Sequence, residues 1–220
     1  MKMKNLGFIL FAAFILASCK KEAGSGCISQ ITDITPVSAS DEDTIKTLIQ
    51  NNGFSGKNQV FTSYSSSVSP NQQNQNVFYQ GVGAIQVRNG LPIFYGWLDY
   101  DFQNGVLQGS VFGRSYGSVT LDTKSTQTLP VLRQLFINEA VNKQGYNASF
   151  KDSCYVAQLG YYNINLNSAT DTTASFIKAW EIRPKNSQYP QLYLRDDNGA
   201  TIYLDRGLVL DLSKRLQNNR

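Results

Sequence analysis

Two Asn-Gly dipeptides, Asn89-Gly90 and Asn104-Gly105, each sit between runs of β-forming residues. They constrain the fold of this chain more than any other feature. A two-residue hairpin turn favours positive φ at both positions, which Asn and Gly adopt at least cost. Val77 to Val87, Leu91 to Phe102 and Val106 to Phe112 therefore read as three strands of an antiparallel meander. A further β-rich stretch, Gln59 to Tyr64, precedes them, and Ser65 to Asn76 reads as a polar loop interrupting the sheet.

Around this meander the pattern repeats in outline. Ser40-Asp41-Glu42-Asp43 supplies an N-cap and acids for a first turn, Ile45, Leu48 and Ile49 follow at helical spacing, and Gly53 stops a helix over about residues 41–52. A second helix starts at Thr128 and Pro130, carries Leu132, Leu135, Phe136 and Ala140 on one face, and ends at Gly145. Strand-like segments follow at Cys154 to Leu166, Phe176 to Arg183, Gln191 to Arg195 and Ala200 to Leu204, the last pair joined by Asp196-Asp197-Asn198-Gly199. Helix-then-meander, twice, predicts an α+β fold of two tandem modules, each a helix packed on a curled antiparallel sheet. Residues 211–220 form a polar tail.

The N-terminus carries a different kind of signal. Lys2 and Lys4 precede an apolar run from Leu6 to Ala17 that closes on Leu16-Ala17-Ser18-Cys19. The run is too short for a membrane-spanning helix, which needs ~20 residues, and has the layout of a secretory signal. It resembles the lipobox of bacterial lipoproteins, which implies that residues 1–18 are removed and Cys19 is acylated; an ordinary cleaved signal is the alternative. Residues 19–40 then read as a flexible, lipid-anchored tether, with Ala23-Gly24-Ser25-Gly26 at its centre.

Removing Lys2 and Lys4 lowers the formal net charge from +4 to +2, and the remaining charges are scattered, which gives no support to a nucleic-acid partner. The chain has no histidine, so Ser-His-Asp and Cys-His arrangements and His-containing zinc sites are excluded. No catalytic residue, cofactor or metal is expected. With Cys19 acylated, Cys27 and Cys154 remain as a candidate disulfide in an oxidising compartment, two separate thiols being the other possibility.

Tyr79-Gln80-Gly81, Gly90-Leu91-Pro92-Ile93-Phe94-Tyr95-Gly96-Trp97, Gln103-Asn104-Gly105-Val106 and Ser110-Val111-Phe112-Gly113 are similar to the core of fungalysin/thermolysin-type propeptide domains. Leu129 to Gly145, Ala179-Trp180-Glu181-Ile182, Tyr193-Leu194-Arg195 and Asn198-Gly199-Ala200-Thr201-Ile202 resemble the neighbouring PepSY domain. The resemblance implies cystatin-like modules over 41–122 (propeptide-like) and 123–210 (PepSY-like), with a surface that binds a peptide or protein. Residues 65–76 depart from the family as a long insertion, and an attached protease domain is not expected.

Along Leu91 to Phe102, alternation separates Phe94, Gly96, Leu98, Tyr100 and Phe102, the better core face, from Ile93, Tyr95, Trp97, Asp99 and Asp101. Tyr95, Trp97, Asp99 and Asp101 form the candidate binding strip; the alternative is that the two aromatics pack beneath a helix or loop. These features describe a non-catalytic envelope lipoprotein, held on the bilayer through Cys19. It most simply faces the periplasm from the outer membrane, with the cell surface as the other placement. Its expected partner is an envelope protein or peptide, a protease among them; the alternative is a surface glycan- or ligand-binding accessory role.

Overall fold

The computed structural model describes residues 27–109, 111–166 and 173–207. The expected signal peptide, the acylated Cys19 and the polar tail from residue 211 lie outside the described residues. The described residues are mostly β, with ten strands in one mixed sheet and two short α-helices. This corrects the expectation of two tandem cystatin-like or PepSY-like modules, each a helix on its own sheet. The strands are β1 (Ile28–Ile31), β2 (Gln59–Pro70), β3 (Asn76–Arg88), β4 (Leu91–Gln103), β5 (Val106–Leu107), β6 (Phe112–Gly113), β7 (Tyr155–Asn163), β8 (Phe176–Pro184), β9 (Gln191–Arg195) and β10 (Thr201–Asp205). The main path runs β10-β9-β8-β7-β4-β3-β2, with β1 on β7 and both β5 and β6 on β4.

The sheet is continuous because β4 changes partners along its length. Its start pairs in parallel with β7 at Ile93 and Tyr161, its middle with β6 at Leu98 and Asp99, and its end with β5. The change occurs at Tyr95, which has φ 59°, and at the β3–β4 register shift between Ile85 and Val87. Gly160 of β7 makes the approach possible: a Cβ there would stand 2.7 Å from the Phe94 ring and 2.8 Å from the Pro92 carbonyl oxygen. Ile93, Tyr161, Tyr116 and Val119 close one side of this seam, and Phe94, Tyr162, Ala179 and Tyr193 the other. Core therefore runs continuously between the two halves that were expected to form separate modules.

Each helix covers part of the sheet. Helix α1 (Ala39–Asn51) is capped by the Ser38 hydroxyl, which accepts from the Asp41 N–H. It buries Ile45, Leu48 and Ile49 against Phe61, Val82, Ala84, Leu98, Tyr100 and Phe102. Asn52 ties its end to the β4–β5 turn, donating to the Gly105 carbonyl (2.9 Å) and accepting from the Leu107 N–H (2.9 Å). Helix α2 (Leu129–Phe136) continues as a π-helical stretch over Ile137–Lys143 and packs on Tyr155, Leu159, Trp180, Ile182 and Leu194. Both Asn-Gly turns are as expected, with positive φ at all four residues. The stretch 65–76 differs from the polar loop expected: β2 extends to Pro70 and only 71–75 turn back into β3.

Two long-range ties join distant segments of the described chain. Cys27 and Cys154 form a disulfide with a Cα separation of 4.7 Å, and β1 lies parallel on the start of β7. Part of the stretch expected as tether is thus built into the sheet. In the chain-entropy account, a cross-link spanning 127 residues stabilises the fold by ~4–5 kcal/mol. The second tie is Asp196, which is fully buried at the β9–β10 turn. Its carboxylate accepts from Trp180 Nε1 (2.9 Å), the Thr126 N–H and hydroxyl, and the Gln127 N–H, with Lys178 Nζ at 3.5 Å. Burial acts to raise the Asp196 pKa, but these donors outweigh it and hold the carboxyl below its ordinary value.

Two outcomes follow for stability. Gly160→Ala must push Phe94 or the Pro92 carbonyl away, costing about 1–3 kcal/mol, read as a lower urea midpoint at unchanged slope. Asp196→Ala leaves several donors unpaired inside the protein and costs at least about 3 kcal/mol. A carboxylate with a depressed native pKa stabilises the fold above its unfolded pKa, ~3.9 for Asp, and loses that contribution as pH falls through the native value. The wild type therefore weakens below about pH 4, and Asp196→Asn shows a shallower acid limb in pH-dependent melting.

Candidate functional site

Three columns of residues share the face of β2–β3–β4 opposite α1. Alternation places Ser63, Ser65 and Ser67 on β2, Tyr79, Gly81 and Gly83 on β3, and Trp97, Asp99 and Asp101 on β4. The register sets them in rows: Gly81 lies between Ser65 and Asp101, and Gly83 between Ser63 and Asp99. The two glycines leave a trough between a wall of hydroxyls and a wall of carboxylates. A Cβ on Gly83 would stand 2.4 Å from Ser63 Oγ, and one on Gly81 would stand 2.9 Å from Ser65 Oγ. Two shallow depressions of about 450 and 320 Å³ run along this trough.

An aromatic pair stands at one end. Trp97 is 42 % exposed and Phe112 on β6 is 65 % exposed, with ring centroids 5.2 Å apart. β6 is placed by its pairing with β4, Asp99 opposite Phe112 and Leu98 opposite Gly113. Gly113 has φ 104°, and a Cβ there would meet the Trp97 carbonyl oxygen at 2.3 Å, so only glycine lets the segment lie this close. Tyr79 and Gln103 stand opposite each other toward the far end. Among the described residues, the side chains of Ser63, Ser65, Asp99 and Asp101 make no hydrogen bond or ion pair within the protein. Their oxygens are open to an external donor.

Trp97, Asp99 and Asp101 thus form one exposed row, while Leu98, Tyr100 and Phe102 are buried on the other face. Tyr95 is not brought into that row. Its left-handed backbone and the register shift set it against Tyr162 (ring centroids 6.0 Å) and Tyr193 (5.3 Å), with its hydroxyl 3.4 Å from Asp205. Sequence reasoning missed Phe112, because β6 is only two residues long. It also missed the serine wall, because Ser65 to Asn76 read as a loop. The Gly81-x-Gly83 spacing inside a strand was the available sign, since interior strand glycines mark close approach or open floor.

A second cluster lies apart from the trough. Tyr193 donates to Glu181 Oε2 (3.2 Å), and Arg183 Nε stands 3.7 Å from Glu181 Oε1. Burial raises the pKa values of Glu181, Tyr193, Tyr95 and Tyr162, so the tyrosines stay protonated at neutral pH. None of these residues lines the trough. Among the described residues no group of three or more acidic or cysteine side chains is placed to hold a metal ion. No protein-family model matches the chain, and no curated protein matches it.

The chain's two tryptophans separate cleanly, since Trp180 is 1 % exposed and Trp97 is on the trough. Acrylamide is expected to quench a fluorescent fraction that Trp97→Phe removes, leaving the shielded emission of Trp180. Equal quenching before and after the substitution would place Trp97 inside the fold.

Proposed function

We propose that this protein is a non-catalytic, lipid-anchored component of a bacterial cell envelope that captures a protein or peptide partner in the β2–β4 trough. Acylation at Cys19 holds it on the bilayer, facing the periplasm from the outer membrane. The observation that carries the reading is the exposed Trp97–Phe112 pair beside two carboxylates without partners. Exposed aromatics next to open polar groups are the usual anchors of binding surfaces.

An extended peptide fits the trough by spacing and charge. Alternate side chains of an extended chain repeat at ~6.8 Å, the same period that separates Asp99 from Asp101 along β4. A segment with basic residues at alternate positions would pair with both carboxylates and lay an apolar residue against Trp97 and Phe112. The propeptide-like wording of the sequence makes a protease the first partner class to test. The flat ring of Trp97 beside hydroxyls and carboxylates also suits a sugar ring, so a glycan is the second reading.

Affinity capture of envelope proteins by the detergent-solubilised full chain, read by mass spectrometry, tests the proposal. A specific protein should be captured and then lost in both Trp97→Ala/Phe112→Ala and Asp99→Asn/Asp101→Asn, at unchanged melting temperature. The aromatic pair is expected to cost ~2 kcal/mol or more, at least tenfold in affinity, and salt should weaken the acidic contribution. Binding to a glycan array with the same sensitivity would transfer the site to the second reading. Capture unaffected by both double variants overturns the trough as the site.

A further inference from the structure

The edges of the sheet are not treated alike. The outer side of β4 is covered in turn by β7, β6 and β5, and β7 is flanked by β1 and β4. Of the remaining edges, β10 is five residues long, carries a register shift between Thr201 and Tyr203, and ends in Asp205-Arg206; β1 is four residues long. Shortness, bulges and charge are the usual ways of blunting an edge. Strand β2 has none of these along its outer half. It is twelve residues long, contains no charged side chain, and its only proline is its last residue. Among the described residues, backbone cover from outside the sheet ladder reaches it only at its start, where the Val37 N–H donates to the Phe61 carbonyl (2.9 Å). From Ser63 to Pro70, all but Tyr64 are exposed, with Val68 at 62 %.

The edge is also complementary to itself. Tyr64, Ser66 and Val68 share one face of β2, and Ser63, Ser65, Ser67 and Ser69 share the other. Laid antiparallel against a second β2 with Ser66 opposite Ser66, the strand pairs Tyr64 with the partner's Val68 on both sides of the axis. Ser65 then meets the partner's Ser67, and Ser63 the partner's Ser69. An aromatic–β-branched pair on one face and hydroxyl pairs on the other are favourable cross-strand combinations, and no charge opposes them. The paired window spans 62–70, so the Val37 contact at Phe61 is left in place. We propose that two copies of this chain join antiparallel through the free edge of β2, about a two-fold axis at Ser66. The two sheets become one, and the serine walls of the two troughs lie side by side, which gives the assembly two parallel binding faces instead of one.

Oxidative cross-linking of the full chain in membranes of expressing cells tests the pairing and its register together. Ser66→Cys places two thiols directly opposite, with Cβ atoms about 5 Å apart. It should give a dimer on a non-reducing gel beyond the background of the wild type with its own cysteines. Ser69→Cys should not, because its two copies would lie about 20 Å apart along the strands, whereas co-expressed Ser63→Cys and Ser69→Cys should cross-link with each other. Ser66→Lys sets like charges face to face. It should convert the detergent-solubilised dimer to a monomer by sedimentation while the melting of the monomer fold is retained. No dimer above background with Ser66→Cys, or equal cross-linking with Ser69→Cys alone, overturns the proposal. So does a wild type that sediments as a monomer.

Discussion

The parallel contact of β4 with β7 is the constraint on which the rest of the structure depends. It exists because Gly160 has no side chain where the Phe94 ring and the Pro92 carbonyl must lie, and because β4 bends at Tyr95 immediately afterwards. The bend turns the first third of β4 into the second half of the sheet and leaves the remainder in the first. One strand thereby joins two antiparallel sets that would otherwise each close on its own helix. The seam is then sealed by the segment around Tyr116 and Val119, which Gln86 and Arg88 hold in place. Gln86, 1 % exposed, donates to the Gly96 and Arg114 carbonyls and accepts from the Tyr116 N–H. Arg88 donates to the carbonyls of Tyr116 and Gly117.

The same bend selects which residues form the candidate face. Without it, simple alternation would set Tyr95 in line with Trp97, Asp99 and Asp101. With it, Tyr95 joins Tyr162 and Tyr193, and the exposed row begins at Trp97. The aromatic that replaces it there is Phe112, brought by a two-residue strand that only a glycine at position 113 permits. The site is thus a by-product of how the two halves of the sheet are joined, and loosening the seam would alter the trough without touching any residue in it.

What could be read in the sequence was local. The Asn-Gly turns, the start of α2 at Thr128 and the alternation of β4 from Gly96 to Phe102 are written in neighbouring residues, and the structure follows them; α1 instead begins two residues before the expected start, at Ala39, with Ser38 rather than Ser40 as its cap. The β4–β7 contact and the parallel pairing of β1 with β7 link residues far apart in the chain, and nothing local marks them; the Cys27–Cys154 bridge, equally long-range, was the exception, legible as a candidate pair from the cysteine count. Ile28–Ile31 is too short and too mixed in composition to be distinguished from a tether until β7 is there to receive it. The run of serines after Tyr64 read as a loop for a related reason: a strand with an open edge and one solvated face carries little apolar pattern. Three of the four residues of the trough's acidic and aromatic walls, Trp97, Asp99 and Asp101, were legible from alternation alone; Phe112 was not.

The distribution of polar partners gives the functional reading its physical footing. Inside the protein, the polar side chains that join segments are engaged: Asp196, Gln86 and Asn52 each tie a loop or turn to the sheet through several hydrogen bonds. On the β2–β4 face the hydroxyls and carboxylates make no such bonds, though they are regularly spaced and near one another. These ties fix the segments that surround the sheet carrying the open array. An array at the repeat of an extended chain loses little entropy on binding one, because its own geometry does not have to change. That economy favours the proposed capture role, since affinity depends on a preformed surface more than on the area it covers.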